Sequence, residues 1–291
     1  MRKSDISRRG FLAATVTSGA ALTVGVSGCA GLGGNGKKEP RVAFVTANLV
    51  AQVSGWRFDL ANWGDQHKKT AAATDEAAWR AICAEIAAHG FTAVEVWEAH
   101  AAPEVMDRAR GAAWKAAMDD HGLKAIGYGG TLGRKTLEIC QWLGIPQING
   151  WIGDNTPEQA AAMCADTGVR FNIENHPQKS AGELLAVVGG GNEWLGVCAD
   201  TGWFGTQGVS GPDIIRACGP LVRHTHLKDV EAAGAHHTCL LGGGVARVAE
   251  CMAALRETGY TGWYSWEDEP EDRNPFDSAA RNKRWIEERI A

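Results

Sequence analysis

The sequence lacks three features that would each assign the chain to a class of protein. No uninterrupted apolar run reaches the roughly 20 residues of a membrane-spanning helix, no Cys-x-x-Cys pair occurs, and no stripe of Lys and Arg suggests nucleic-acid binding. The chain has 22% charged and 45% hydrophobic residues with a formal net charge of -5, which excludes disordered and collagen-like classes. We therefore expect a globular protein that binds a small molecule and no nucleic acid.

The first 40 residues are typical of an export signal and a tether. Residues 7–12, SRRGFL, match the twin-arginine export pattern, and an uncharged segment follows over residues 11–26. Residues 26–29, VSGC, resemble a lipobox, in which the cysteine becomes the acylated first residue; the alternative is a plain cleavage region with an incidental cysteine. We expect a signal peptide over residues 1–28 and lipidation of Cys29. A Gly-rich tether would cover residues 29–40, in a periplasmic or cell-envelope protein that reaches the membrane only through its lipid anchor.

From residue 41 onward, short apolar runs alternate with helical patterns. Eight strands are predicted, each followed by a helical pattern, at 41–47, 91–97, 123–128, 145–149, 169–174, 194–199, 221–227 and 262–267. This alternation indicates a parallel sheet, and eight units suggest closure. We expect an α/β protein with a single (β/α)8 TIM barrel over residues 41–291. The segment 48–73 is too long for an ordinary connection and is a candidate lid over the active face.

Polar residues lie at the ends of four consecutive predicted strands. They are Glu174, Asp200, His226 and Glu267. In a parallel barrel these strand ends ring one face, where barrel enzymes carry out their chemistry. Three carboxylates and one imidazole suit one divalent ion such as Mn²⁺, Mg²⁺, Co²⁺ or Zn²⁺. The other interpretations are solvated loop acids for the two glutamates and a helix N-cap for Asp200.

Further residues near the same strand ends are candidates for contact with a substrate. His224 faces the barrel interior together with His226 and is expected to support a ligand. Alternatives remain: Glu95 could brace a ligand, and Lys228 could pair with Asp229. The candidate set is His176, Glu95, Trp97, His100, Trp203 and Lys228.

Together these segments resemble the sugar phosphate isomerase/epimerase superfamily of xylose isomerase-like barrels, which includes ketose 3-epimerases and inosose dehydratases. The resemblance covers about residues 41–291 and depends on four motifs: ENH at 174–176, DTG at 200–202, HTHLKD at 224–229 and SWEDE at 265–269.

The resemblance implies that Glu174, Asp200, His226 and Glu267 are the metal ligands. It also implies that Glu174 and Glu267 are catalytic and exchange a proton with the substrate from opposite sides of one carbon. The sequence departs from the ketose epimerases three residues after the aspartate, where those enzymes have histidine and this chain has Trp203.

The expected function is metal-dependent isomerisation or epimerisation of a sugar or sugar derivative, with proton transfer through a metal-stabilised enediolate. One alternative is a dehydratase or lyase that acts on a keto-sugar, a keto-glycoside or an inosose. Another is a lipid-anchored carbohydrate-binding protein that kept the barrel and lost the chemistry. A small carbohydrate is the expected partner, and a homo-oligomer is compatible with the sequence.

Overall fold

The computed structural model describes residues 41–290, and the predicted signal peptide, Cys29 and the tether lie outside this range. Ten strands occur within this described range: β1 (Val42–Val45), β2 (Ala93–Trp97), β3 (Lys124–Thr131), β4 (Gln147–Trp151), β5 (Arg170–Glu174), β6 (Leu195–Asp200), β7 (Val222–Leu227), β8 (Asp229–Val230), β9 (Thr238–Cys239) and β10 (Tyr264–Trp266).

Eight of these strands form a closed parallel barrel in the order β1-β10-β7-β6-β5-β4-β3-β2. Strands β8 and β9 pair antiparallel in a separate two-stranded sheet. Helices separate the barrel strands along the chain, so the predicted (β/α)8 TIM barrel is confirmed. All eight predicted strands are present, with ends that differ by a few residues.

The helices are α1 (Trp63–Ala73), α2 (Glu76–Ala88), α3 (Arg108–Asp120), α4 (Arg134–Leu143), α5 (Pro157–Thr167), α6 (Ala181–Val187), α7 (Thr201–Gln207), α8 (Gly211–Cys218), α9 (Val248–Glu257) and α10 (Phe276–Ile290). None in the described range is long and apolar enough to cross a membrane.

Helix α5 shows how the local sequence sets an element's ends. The Thr156 side chain accepts a hydrogen bond from the Gln159 amide, and the Gln159 side chain accepts one from the Thr156 amide. Pro157 occupies the first turn, where its missing N–H costs nothing, and Gly168 ends the helix with a left-handed φ of 71°.

Apolar side chains fill the layer between the barrel and its helices, whereas polar side chains fill part of the barrel interior. Phe44, Trp79 and Trp266 are completely buried in the apolar layer. Inside the barrel, the Asn172 amide donates to Asn149, and the Asn149 amide donates to Glu95 at 2.7 Å. A barrel centre built from hydrogen-bonded polar groups can hold charged residues at one end.

The segment 48–73 is folded. It contains short 3₁₀ turns followed by helix α1. Its backbone is fixed to the loop after β10, because the Phe58 amide donates to the Glu271 carbonyl at 2.8 Å and the Leu60 amide to the Glu271 carboxylate at 2.9 Å. The segment that the sequence suggests as a lid therefore lies against the end of the last barrel strand.

Candidate active site

The barrel brings the four predicted ligands together at the carboxyl ends of neighbouring strands. Asp200 on β6 pairs in register with His226 on β7, and His226 pairs with Ser265 on β10. Glu174 ends β5, and Glu267 directly follows β10. One ligand atom from each of the four predicted residues lies within 4.8 Å of the others, and all four side chains are buried.

Asp200 uses its two carboxylate oxygens differently. Oδ1 accepts hydrogen bonds from the amides of Gly202 at 2.7 Å and Trp203 at 3.2 Å, and thereby caps helix α7. Oδ2 is buried and has no hydrogen-bond partner among residues 41–290. The N-cap and the metal-facing interpretations of Asp200 are thus compatible, because they concern different oxygens.

The ring of His226 is held with Nδ1 toward the acidic cluster. Its Nε2 lies 3.0 Å from Glu95 Oε1, while Nδ1 lies 3.1 Å from Glu174 Oε1 and 3.4 Å from Glu267 Oε2. Burial opposes ionisation of Glu95, but His224 and His226 outweigh it and hold the pKa of Glu95 well below its usual range. An ionised Glu95 only accepts hydrogen bonds, so Nε2 of His226 carries a proton and Nδ1 is the nitrogen directed at the cluster.

Glu95 lies beneath the site and does not touch the cavity. Its side chain is 0% exposed and contacts His224 Nε2 at 2.6 Å, Ser265 Oγ at 3.0 Å and the Asn149 amide at 2.7 Å. The predicted contact of Glu95 with a substrate is therefore wrong, because other protein side chains use its oxygens. The alternative, a brace for a ligand, agrees with the structure, and His224 supports His226 through the same carboxylate.

The donor set fits a divalent cation. Glu267 Oε2, like Asp200 Oδ2, is buried without a hydrogen bond from any described residue. Buried polar atoms normally have hydrogen-bond partners. The Lys228 ammonium lies 3.0 Å from both oxygens but forms a hydrogen bond with neither, so a bound cation would supply the partner that both lack. Three carboxylates with one imidazole are suitable ligands for Mn²⁺, Mg²⁺, Co²⁺ or Zn²⁺.

Lys228 supplies a positive charge at the edge of this cluster. Its ammonium group lies 3.0 Å from each of three carboxylate oxygens, Asp200 Oδ2, Glu267 Oε2 and Glu269 Oε2. Of these three contacts, only the one with Glu269 has the geometry of a hydrogen bond. The alternative pairing of Lys228 with Asp229 is wrong. Both Asp229 oxygens instead accept backbone amide hydrogen bonds, from Val230, Ala246, Gly242 and Gly244.

The two glutamates differ in their tendency to hold a proton. Burial raises the pKa of Glu267 well above its usual range, and Glu269 and Asp200 add to this effect. Burial also opposes ionisation of Glu174, but the adjacent His176 and His226 outweigh it and lower its pKa. Two carboxylates with opposite pKa shifts at one site are suited to donate and accept protons.

A cavity of about 260 Å³ opens above the four ligands. Glycines form part of one wall: a Cβ atom at Gly129 would contact Glu95 Oε1 and Trp97 Cα at 3.9 Å, and one at Gly130 would collide with Glu98. Trp97 and His176 line the cavity as the sequence predicts. The lining residues that were not predicted include Trp63, His67, Glu98, Trp151 and Glu269.

Two other predicted substrate residues lie away from this cavity. His100 is buried, with Nδ1 3.0 Å from Thr46 Oγ1, and burial lowers its pKa to about 3. It borders a separate cavity under the segment 48–73, so its predicted contact with substrate at the ligands is wrong. Trp203 lies farther out, in a compartment next to the mouth of the main cavity.

Solved structures with the same fold include several sugar-related enzymes. The D-allulose 3-epimerase from Methylomonas sp. superposes with a TM-score of 0.58 at 17% identity, over 87% of this chain and 98% of that one. The probable 3-DHS dehydratase AsbF from Bacillus anthracis has a TM-score of 0.59 at 15% identity, over 84% and 98%. The IOLI protein, solved with a bound zinc atom, has a TM-score of 0.58 at 14% identity, over 84% and 96%. At these identities the likeness shows the fold alone.

No curated protein matches the sequence. The sequence profile of the xylose isomerase-like TIM barrels matches residues 83–289, which is more than half of the chain and includes all four candidate ligands. The closed barrel and its strand-end acids agree with that match, and the chain belongs to the xylose isomerase-like TIM barrel family.

Proposed function

We propose that this protein is a metal-dependent isomerase or epimerase of a sugar or sugar derivative. The observation that carries the proposal is the group of four buried strand-end donors, whose ligand atoms lie within 4.8 Å of one another beneath an open cavity. The D-allulose 3-epimerase named above supports a carbohydrate as the substrate class.

Glu174, Asp200, His226 and Glu267 would hold one divalent ion, with Mn²⁺ as the first candidate. Such an ion polarises a carbonyl oxygen and makes a proton on the adjacent carbon easier to remove. The Glu95 carboxylate keeps His226 in the tautomer that leaves Nδ1 directed at the ligand cluster.

The two glutamates would carry the proton transfer. Both carboxylates line the cavity, where one would accept the proton and the other would return it. Return of the proton to the opposite face of the same carbon gives epimerisation, and return to the neighbouring carbon gives isomerisation. His176 has its Nε2 3.8 Å from Glu174 Oε1 and lines the cavity, so it would contact a substrate hydroxyl group.

Lys228 favours a second candidate, elimination of water or another substituent from a keto-sugar, a keto-glycoside or an inosose. Its ammonium lies 3.0 Å from Glu267 Oε2, where its positive charge would stabilise negative charge that develops as a leaving group departs. The similarity in fold to AsbF, a probable 3-DHS dehydratase, supports this candidate. Product composition separates the two reactions, because only elimination changes the composition of the substrate.

The signal pattern of residues 1–28 supports a location outside the cytoplasm, with Cys29 as a lipid anchor. This part of the proposal is tested by the membrane fraction of cells that express the full chain, because Cys29→Ser should release the protein into the soluble fraction.

The activity is tested by metal analysis and by solvent exchange. Protein loaded with Mn²⁺ is incubated in D₂O with a panel of ketoses, and deuterium at the carbon next to the carbonyl is followed by NMR. We expect exchange in the wild type and none in Glu174→Gln. The proposal is wrong if the protein binds no divalent ion, or if Glu174→Gln binds Mn²⁺ as well as the wild type.

A further inference from the structure

A second compartment adjoins the cavity above the ligands. It has a volume of about 360 Å³ and is lined by Leu60, Trp63, Trp151, His176, Trp203 and Glu269. Four of these residues also line the inner cavity: Trp63, Trp151, His176 and Glu269. The two compartments therefore form one cleft, with the ligand cluster at the inner end.

The two compartments differ in their chemistry. Three indole rings line each compartment, and Trp63 and Trp151 belong to both. The inner end adds the carboxylates and imidazole of the ligand cluster, whereas His176 and Glu269 are the polar residues that line the outer end. Trp151 is 47% exposed and is the most exposed of the large apolar side chains in the described range. An indole left open to water at the mouth of a cleft is typical of a surface that a ligand covers.

The indole rings are held in place before any ligand binds. The imidazole of His176 stacks on Trp151, with ring centres 5.4 Å apart and planes 9° apart. The same imidazole meets Trp203 edge to face at 4.9 Å, and Trp203 contacts the ring of His236 at 5.1 Å. Rings that are fixed in advance lose little conformational entropy when a ligand packs against them.

We propose that this outer compartment is a subsite for a second sugar ring, so that the substrate is a glycoside rather than a free monosaccharide. The inference rests on the proposed function of the inner cavity. That cavity, about 260 Å³, lies below the range of about 300–1,000 Å³ that larger ligands need, whereas the complete cleft reaches it. The C–H face of a pyranose ring packs on the electron-rich face of an indole ring.

Polar groups stand where the two rings would be joined. His176 and Glu269 border both compartments, so the glycosidic linkage would pass between them. Glu269 uses Oε2 to bind Lys228, which leaves its other oxygen to accept a hydrogen bond from a sugar hydroxyl. The cleft thus offers stacking to the outer ring and hydrogen bonding at the linkage.

The subsite is tested by calorimetric binding of matched probes to the Mn²⁺-loaded protein. The probes are methyl β-D-glucoside against cellobiose, and methyl β-D-galactoside against lactose. In at least one pair the disaccharide should bind about 2- to 10-fold more tightly, which is the gain expected from one aromatic contact. Trp203→Ala should bring this ratio close to one, and Trp142→Ala, which removes a half-buried indole that lines neither compartment among the described residues, should preserve it.

Equal affinities within both pairs of the wild type would overturn the proposal, as would an unchanged ratio in Trp203→Ala or no binding of any probe. Retained stabilisation by Mn²⁺ verifies that Trp203→Ala is folded. The proposals for the inner cavity and the outer compartment can be refuted independently. If the protein prefers disaccharides but binds no metal, the proposed enzymatic function is contradicted and the proposed subsite is supported. If it catalyses deuterium exchange but does not prefer disaccharides, the proposed function is supported and the proposed subsite is contradicted.

Discussion

Glu174 and Glu267 both face the candidate metal position, but they differ in their bonds to the protein. Glu174 Oε1 lies within hydrogen-bond distance of His226 Nδ1 at 3.1 Å. Glu267 Oε2 has no hydrogen bond within residues 41–290, and it is one of three carboxylates around the single Lys228 ammonium. Replacement of each glutamate by glutamine should therefore have different effects on stability without metal and the same effect on metal binding.

The expected magnitudes follow from these contacts. In EDTA, Glu174→Gln replaces an ionic hydrogen-bond partner by a neutral one, which should lower the free energy of unfolding by about 1–3 kcal/mol. Glu267→Gln breaks no hydrogen bond and relieves repulsion among carboxylates. Burial raises the pKa of Glu267, so a neutral side chain suits its position, and the change should stay within about 0.5 kcal/mol.

Metal binding should be weakened to a similar extent in both variants. At a Mn²⁺ concentration 100 times its Kd, the wild type gains about 2.7 kcal/mol of stability by linkage. Loss of one of four ligands should weaken binding at least as much as loss of a supporting group, about 100-fold, which leaves a gain of about 0.4 kcal/mol at the same concentration. Both variants should thus lose most of the stabilisation by Mn²⁺.

The assay is urea unfolding in EDTA and in Mn²⁺ for the wild type, both variants and Glu269→Gln. The last variant is the matched control, because Glu269 also contacts Lys228 but is not one of the four candidate ligands. It should keep the full Mn²⁺ effect. The reasoning is refuted if Glu267→Gln destabilises the protein in EDTA as much as Glu174→Gln, or if either variant keeps the wild-type gain in Mn²⁺.

Three further predictions concern the surroundings of the ligands. Burial lowers the pKa of His226, but Cys198, Glu95 and other neighbours outweigh it and raise the pKa well above the usual range. Because Nδ1 must lose its proton to bind metal, Mn²⁺ affinity measured by calorimetry should rise about tenfold per pH unit from pH 6 to 8. A flat pH profile would contradict this prediction. Gly129 lines the cavity, so the side chain of Gly129→Val should weaken methyl glycoside binding about tenfold or more and leave Mn²⁺ affinity unchanged. Unchanged affinity for the glycoside would show that the sugar does not bind next to Gly129. Asp229→Ala removes the acceptor of four backbone amides and should cost about 3–5 kcal/mol in urea unfolding, with Asp229→Asn costing less; equal losses would show that the acceptor oxygens are unimportant.

The strand-end ligands were predictable because a parallel barrel fixes where strands end. Glu174 and Asp200 are the last residues of β5 and β6, so their order in the sequence already places them on one rim. His224 was expected behind His226, whereas Glu95 was harder to place. Glu95 lies two residues before the end of β2, and His224 two residues before His226, so each lies roughly 7 Å deeper in the barrel than the rim. The residue type does not reveal this depth, whereas the rim position after β2 belongs to Glu98.

Two helices escaped prediction for different reasons. Helix α1, with the sequence WGDQHKKTAAA, buries only Gln66 and Thr70, so it lacks an apolar period that would reveal it. Helix α7 has seven residues and includes Gly202 and Gly205, which lower its intrinsic preference for helix. Its start depends on the cap from Asp200. The side chains that α1 adds to the cleft, Trp63 and His67, were therefore missed with the helix.

The hydrogen bond between Glu95 and His226 joins parts of the chain that are 131 residues apart. All four candidate ligands come from β5 onward, but the group that orients the imidazole comes from β2. Contacts so distant along the chain form late, because a long loop must first be closed. A truncated chain that contains only the carboxyl-terminal half would carry every donor atom and still hold manganese weakly. Tight binding of Mn²⁺ should begin only when the first strands close the barrel. Mn²⁺ binding would then report on the last step of folding.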